Sequence, residues 1–348
     1  MRIAQVAPLF ESVPPRYYGG TERIVSYLTE ELVRQGHKVT LFASGDSVTS
    51  ARLVAACHQA LRLDDRCVDQ LAHHVTMLEM VALQALKFDI IHFHLDYLHF
   101  PLFSRMQTYI ITTLHGRLDL PDIVPLYKQF PNMPVVSISD AQRNPLSQIN
   151  WQGTVYHGLP LDMYTFQGTP GRYLALIGRI CPEKGVDKAI EIAKRLGMSI
   201  KIAAKVDKAD QIYFNERIKP LLREPYVEYI GEIGDGEKND FLGNAYALLF
   251  PVDWPEPFGL AMIEALACGT PVIAYRRGSV PEVLENGVTG FIVEGIDDAV
   301  KAVRQIEILS RKRCRQVFEE RFSATRMAQS YLTIYENLLN SHCQPKVA

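Results

Sequence analysis

Ala247-Leu248-Leu249-Phe250-Pro251 runs into Val252-Asp253-Trp254-Pro255-Glu256-Pro257-Phe258-Gly259 and then into Leu260-Ala261-Met262-Ile263-Glu264-Ala265-Leu266-Ala267-Cys268-Gly269. A short apolar run, a proline-rich break and an apolar stretch of helical length read as strand, turn and helix. The same alternation recurs along the chain. Short apolar runs at 2–7, 38–43, 89–94, 109–114, 135–139 and 154–157 predict the strands of one sheet, and those at 173–178, 199–204, 227–230, 247–251, 272–275 and 291–293 predict another. Many lack strict polar–apolar alternation, as expected of parallel strands covered on both faces. Between them, 21–34 places Ile24, Val25, Leu28 and Leu32 on one helical stripe, and 186–196 and 258–267 behave similarly. The expected fold is α/β, with two doubly wound, Rossmann-like domains facing across a cleft.

Length and composition agree. The chain has 348 residues, more than one core usually serves, which favours two domains of roughly 150 residues. The expected division is an N-terminal Rossmann-like domain over 1–165, a C-terminal Rossmann-like domain over 166–325, and a final helix in 326–348. Its stripe of Met327, Tyr331, Ile334 and Leu338 must be buried against something. There are 37 basic and 39 acidic residues, a net charge of −2, so no basic footprint for nucleic acid or anionic lipid is present. No membrane association is expected, and the N-terminus lacks the apolar segment of a signal peptide. The six cysteines are never closer than ten positions apart, which suits reduced thiols and a cytoplasmic protein.

In open α/β sheets, ligands bind beyond the carboxyl ends of the strands, so chemistry belongs in the loops that follow them. After the strand at 247–251, Pro257 and Gly259 suit the opening of a helix, whose first-turn N–H groups favour a phosphate. Glu256 precedes that helix and Glu264 lies within it. At about 1.5 Å per residue their separation would be roughly 10–12 Å, comparable with the span from ribose to sugar in a nucleotide sugar. Taken singly, each glutamate could be a locally satisfied carboxylate. A second cluster, Gly178-Arg179-Ile180-Cys181-Pro182-Glu183-Lys184-Gly185, offers Arg179 and Lys184 to an anion. In the first half, Gly19-Gly20-Thr21-Glu22 opens a helix where backbone can approach a ligand. It is not a dinucleotide fingerprint, and no P-loop occurs. His115 follows a strand and is equally open to a structural role or to donation to a sugar hydroxyl or support of a leaving phosphate. His92 and His94 share one side of their strand, but no further ligand set supports a metal. No metal site and no cofactor beyond a nucleotide-sugar co-substrate are expected.

Together these segments resemble the retaining GT-B glycosyltransferases of family 4. The likeness rests on the E-x7-E pattern Glu256…Glu264 within Pro-Glu-Pro-Phe-Gly-Leu, on Gly178-Arg179…Glu183-Lys184-Gly185, and on Gly19-Gly20 before the first helix. It extends to Thr113-Leu114-His115-Gly116, Gly269-Thr270-Pro271 and Gly278-Ser279-Val280-Pro281-Glu282, nearly the whole chain. The opening Val13-Pro14-Pro15…Tyr18-Gly19-Gly20-Thr21-Glu22 also resembles a bacterial subgroup that includes enzymes glycosylating pterins and natural products. The resemblance implies that Glu264 binds the ribose hydroxyls. Glu256 and the backbone of Phe258, Gly259 and Leu260 would hold the donor sugar and phosphates. Arg179 and Lys184, helped by Gly19 and Gly20, would take the diphosphate, and His115 would lie by the reacting sugar. The implied reaction is hexose transfer, with UDP-glucose as the donor, to a hydroxyl of a small-molecule or saccharide acceptor. Loops at 10–18 and 96–103 are candidates for the acceptor. A nucleotide-sugar epimerase of the same fold and a non-catalytic nucleotide-sugar binding protein are the alternatives. A retaining glycosidase needs its carboxyl groups roughly 5–5.5 Å apart, which two helical turns do not allow.

Overall fold

The computed structural model describes residues 1–16 and 19–341. The chain forms two compact units, one of Met1–Leu159 with Ala324–Ala348 and one of Pro160–Ser323.

The first unit holds β1 (Arg2–Val6), β2 (Lys38–Ser44), β3 (Arg52–Cys57), β4 (Ile90–Phe93), β5 (Ile110–Thr113), β6 (Val135–Ser137) and β7 (Trp151–Thr154). They form one parallel sheet in the order β3-β2-β1-β4-β5-β6-β7. The order reverses between β1 and β4, which is where an open α/β sheet leaves room for a ligand. The register sets Gln5 beside His92 across that point. The helix Gly20–Arg34 buries Ile24, Val25, Leu28 and Leu32 completely. A helix that the apolar stripes did not signal, Gln70–Ala82, is capped by the Asp69 carboxylate, which accepts from the Leu71 and Ala72 N–H groups. The last helix, Ala324–Ser341, belongs to this unit and buries Tyr331 and Tyr335 fully.

The second unit holds β8 (Tyr173–Arg179), β9 (Ser199–Lys205), β10 (Val227–Gly231), β11 (Ala245–Phe250), β12 (Val272–Tyr275) and β13 (Gly290–Val293). These too are all parallel, in the order β10-β9-β8-β11-β12-β13, with the reversal between β8 and β11. Leu176, Ile202, Leu249 and Ile273 form the core with Ile190 and Ala193 of the helix Val186–Leu196. Two doubly wound parallel sheets are what the sequence patterns imply. Two strands differ from the expected list. β3 was not anticipated, because Arg-Leu-Val-Ala-Ala-Cys is a partly exposed edge strand without a clear apolar signature. β7 lies at Trp151–Thr154, upstream of the run at 154–157. Among the described residues no helix is long and apolar enough to cross a membrane.

Candidate functional site

In the second unit the loops after β8 and β11 meet at the strand-order reversal. Gly185 has a left-handed backbone, φ +65°, and a β-carbon there would lie 2.4 Å from the Pro251 carbonyl oxygen. Only glycine allows this approach without strain. The Asp253 N–H donates to the Glu183 carbonyl at 2.8 Å, tying the loops together. Lys184 Nζ thereby reaches Glu256 Oε2 at 2.5 Å, and Trp254 Nε1 donates to the same oxygen at 3.0 Å. The ammonium also lies 5.6 Å from the Trp254 ring centroid and 5.9 Å from that of Phe250, within cation–π range. Glu256 is buttressed from behind. Its carbonyl accepts from the Ser279 N–H at 3.0 Å, and Ser279 Oγ donates to the Phe258 carbonyl at 2.8 Å. A β-carbon on Gly278 would meet the Glu256 backbone at 2.3 Å, so the segment 278–279 closes tightly against the loop.

The helix begins only at Leu260, with Gly259 as its N-cap at φ 83°. Residues 256–259 therefore follow a loop path, and helical rise does not set the distance from Glu256 to Glu264. Glu264 is 3% exposed and its Oε1 accepts from Lys238 Nζ at 2.7 Å. Lys238 also lies 3.5 Å from Asp235. Arg179, at the end of β8, lies 3.3 Å from Asp207 and 3.7 Å from Asp210. Arg179 and Lys184 thus share a loop, but each faces its own carboxylate. The Phe258 ring is buried against Phe322 at 6.1 Å between centroids. Farther out, Lys188 and Arg277 both donate to Asp253 and hold its carboxyl below the usual range. The loop sequence pointed to Arg179, Lys184 and Glu256. It did not signal Trp254, Lys238, Asp207 or Asp210 as their partners.

In the first unit Gly20 opens the helix Gly20–Arg34 and Gly19 caps it. A β-carbon on Gly19 would come within 2.7 Å of Pro15. Tyr17 and Tyr18 lie outside the described residues. Glu22, in the first turn, is buried, and burial pushes its carboxyl up to about 7. His115 follows β5, and its Nε2 lies 2.9 Å from His94 Nδ1. Burial lowers the His115 imidazole to about 3, so it is neutral near pH 7. His92 and His94 do share one side, with ring centroids 4.1 Å apart. Their nitrogens are occupied: His92 by Tyr335 and Thr113, at 2.7 Å each, and His94 by Gln5 at 2.8 Å and His115. Among the described residues no group of three His, Cys, Asp or Glu side chains suits a metal ion. In the segment 96–103, Phe100 and Phe103 are buried core residues, and His99 stacks on Phe93 at 3.8 Å while pairing with Thr112. Those three rings are structural. Asp96, just after β4, is a non-glycine residue held in the left-handed region, at φ +49°.

Two family models match the chain. The Glycosyltransferase Family 4 model covers residues 18–152, and the model for Glycosyl transferases group 1 covers 167–321. Among curated relatives, glycogen synthase of Mycobacterium tuberculosis is 31% identical over 176 residues, 46% of this chain and 42% of that protein. The chain spans about half the length, or less, of the curated relatives it matches first. Solved structures share the fold across nearly the whole chain. A glycosyltransferase involved in avilamycin A biosynthesis superposes with a TM-score of 0.75 at 21% identity, over 98% of both chains. HepE of Anabaena, in complex with UDP-glucose, gives 0.73 at 17% identity, over 98% of this chain and 100% of that one. With a family 4 domain in its first unit and a group 1 domain in its second, the chain belongs to the glycosyltransferases of the GT-B fold.

Proposed function

We propose that this glycosyltransferase transfers a hexose, glucose from UDP-glucose, to a hydroxyl of a small-molecule or saccharide acceptor with retention of the anomeric configuration. The observation that carries the reading is the Lys184–Glu256 pair, held by Trp254 at the carboxyl end of β11. A diphosphate offers Lys184 a more highly charged partner than one carboxylate. When Lys184 turns to it, Glu256 is released to accept hydrogen bonds from sugar hydroxyls. One ion pair thus serves as a stand-in for two ligand contacts. Arg179 adds a planar donor fork, and the N-terminus of Leu260–Ala267 adds partial positive charge. These groups supply counter-charge for the diphosphate without a metal. Glu264, oriented by Lys238, would accept from a ribose diol.

In the reaction, the bond from the anomeric carbon to the diphosphate oxygen breaks and UDP leaves. The acceptor oxygen bonds to that carbon on the same face, and its proton passes to the departing phosphate. No covalent sugar–enzyme link is needed. HepE is described with UDP-glucose, which supports the donor assignment by analogy.

Calorimetric titration with UDP tests the phosphate loop. Charge-assisted hydrogen bonds contribute roughly 1.5–3 kcal/mol each. Arg179→Ala and Lys184→Ala should each weaken UDP binding about tenfold or more, at 1.4 kcal/mol per decade. Unchanged affinity in both variants would remove this loop from the site.

A further inference from the structure

At the carboxyl ends of β1, β4 and β5 in the first unit, a chain of buried polar side chains ends on His115. We propose that Gln5 and His94 are positioning residues that fix the direction of hydrogen bonding at His115, so that its Nδ1 meets a ligand hydroxyl as an acceptor. The proposal rests on the reading of His115 as a residue of the transferase site.

The direction follows from one amide. Gln5 Nε2 donates to the Tyr335 hydroxyl at 3.3 Å, and Gln5 Oε1 lies 2.8 Å from His94 Nε2. An amide oxygen only accepts, so His94 Nε2 carries the hydrogen. His94 is buried, which holds it well below the usual imidazole range, and the nearby rings of His92 and His115 oppose its protonation further. A neutral ring with a hydrogen on Nε2 has a bare Nδ1. His94 Nδ1 is 2.9 Å from His115 Nε2, so His115 must donate there. His115 is neutral too, and its remaining nitrogen, Nδ1, is left with a lone pair.

That nitrogen is out of contact with solvent and has no hydrogen-bond partner among the described residues. An unpaired buried acceptor costs free energy until a donor reaches it. The His115 ring stacks on His157 with 5.3 Å between centroids and 19° between planes, which restrains it from turning over. The same polarity runs the other way from Gln5. Tyr335, having accepted from the amide, donates to His92, which donates to Thr113, which donates to Tyr331 at 2.8 Å. Every step has one donor and one acceptor. A bare Nδ1 attracts an O–H and repels a phosphate oxygen, whose lone pairs face its own. His115 is therefore suited to a sugar hydroxyl as acceptor, not as donor, and is unsuited to supporting the leaving phosphate.

Nitrogen NMR of the full chain with histidine-selective ¹⁵N labelling reads this directly, because protonated and bare imidazole nitrogens have separate chemical shifts. A His115→Asn variant assigns the signals. The expected wild-type result at pH 7 is a protonated Nε2 and a bare Nδ1 on His115. Gln5→Met removes the acceptor that sets the chain, so His115 should then show a population with hydrogen on Nδ1. Transfer should fall about tenfold, the scale of one hydrogen bond presented with the wrong polarity. A wild-type His115 with hydrogen on Nδ1, or a Gln5→Met spectrum with His115 unchanged, overturns the proposal. The wild-type spectrum decides alone if the variant does not fold. An active transferase with hydrogen on Nδ1 overturns this inference and leaves the functional reading intact. The expected tautomer in a protein that transfers no sugar does the reverse.

Discussion

Replacing Glu256 by alanine is expected to reduce sugar transfer about 100-fold while leaving UDP affinity within a few-fold of wild type. The asymmetry comes from the ion pair at the end of β11. Glu256 Oε2 takes hydrogen bonds from Lys184 and from Trp254. If Glu256 holds sugar hydroxyls during transfer, its loss removes charge-assisted hydrogen bonds of about 1.5–3 kcal/mol each, and the upper end of that range corresponds to roughly 100-fold. Nucleotide binding behaves differently, because the variant frees Lys184. A lysine without its internal carboxylate binds a diphosphate at least as readily. Steady-state kinetics with UDP-glucose, beside UDP titration of the same preparation, separates the two effects. Equal losses in turnover and UDP affinity would contradict the sugar-facing role.

The second large effect concerns stability. Arg311→Met is expected to destabilise the second unit by about 3–5 kcal/mol, because several acceptors in the interior lose their donor together, at about 1–3 kcal/mol for each one left unsatisfied. Arg311 is 7% exposed and donates to the carbonyls of Gln167, Ala245 and Gly243 at 2.7, 3.0 and 2.7 Å. It also donates to Thr270 Oγ1 at 2.7 Å. Its guanidinium ties the chain before β8, the start of β11 and the turn into β12 to one point. Methionine fills much of the space and leaves those acceptors without their donor. The two tryptophans report on different units, Trp151 on β7 and Trp254 in the loop after β11. In a Trp151→Phe background, urea unfolding followed through Trp254 should shift its midpoint down by roughly 1–5 M, given slopes of about 1–3 kcal/mol/M. A loss below about 1 kcal/mol would show that the carbonyls find other donors.

The alternation of strand and helix was legible because most strands are buried on both faces and read as continuous apolar runs. β3 escaped because one edge strand with partial exposure carries no such run. Arg179, Lys184 and Glu256 were legible for a local reason: each lies at or just after a strand end, where a doubly wound sheet places its ligands. Their partners were not. Lys238 lies in a charged stretch indistinguishable from a solvated helix face, and its pairing with Glu264 depends on the packing of two helices. Gln5 and Tyr335 are joined across 330 positions of sequence, a contact that no local pattern carries. Helical rise does not set the separation of Glu256 and Glu264, because Gly259 starts the helix late. Gly278 looked like part of a motif, but its reason is steric and visible only once the Glu256 backbone lies against it.

We propose that this chain moves a hexose from a nucleotide sugar to a hydroxyl. The most direct test is incubation with a panel of nucleotide sugars and a metabolite extract. Nucleoside diphosphate release identifies the donor, and mass spectrometry detects a hexose added to an acceptor. The expected result is UDP release from UDP-glucose, dependent on the extract, with a product whose anomeric configuration matches the donor. Turnover of UDP-sugar to an isomer without acceptor, or binding with neither transfer nor hydrolysis of any donor in the panel, would contradict the claim.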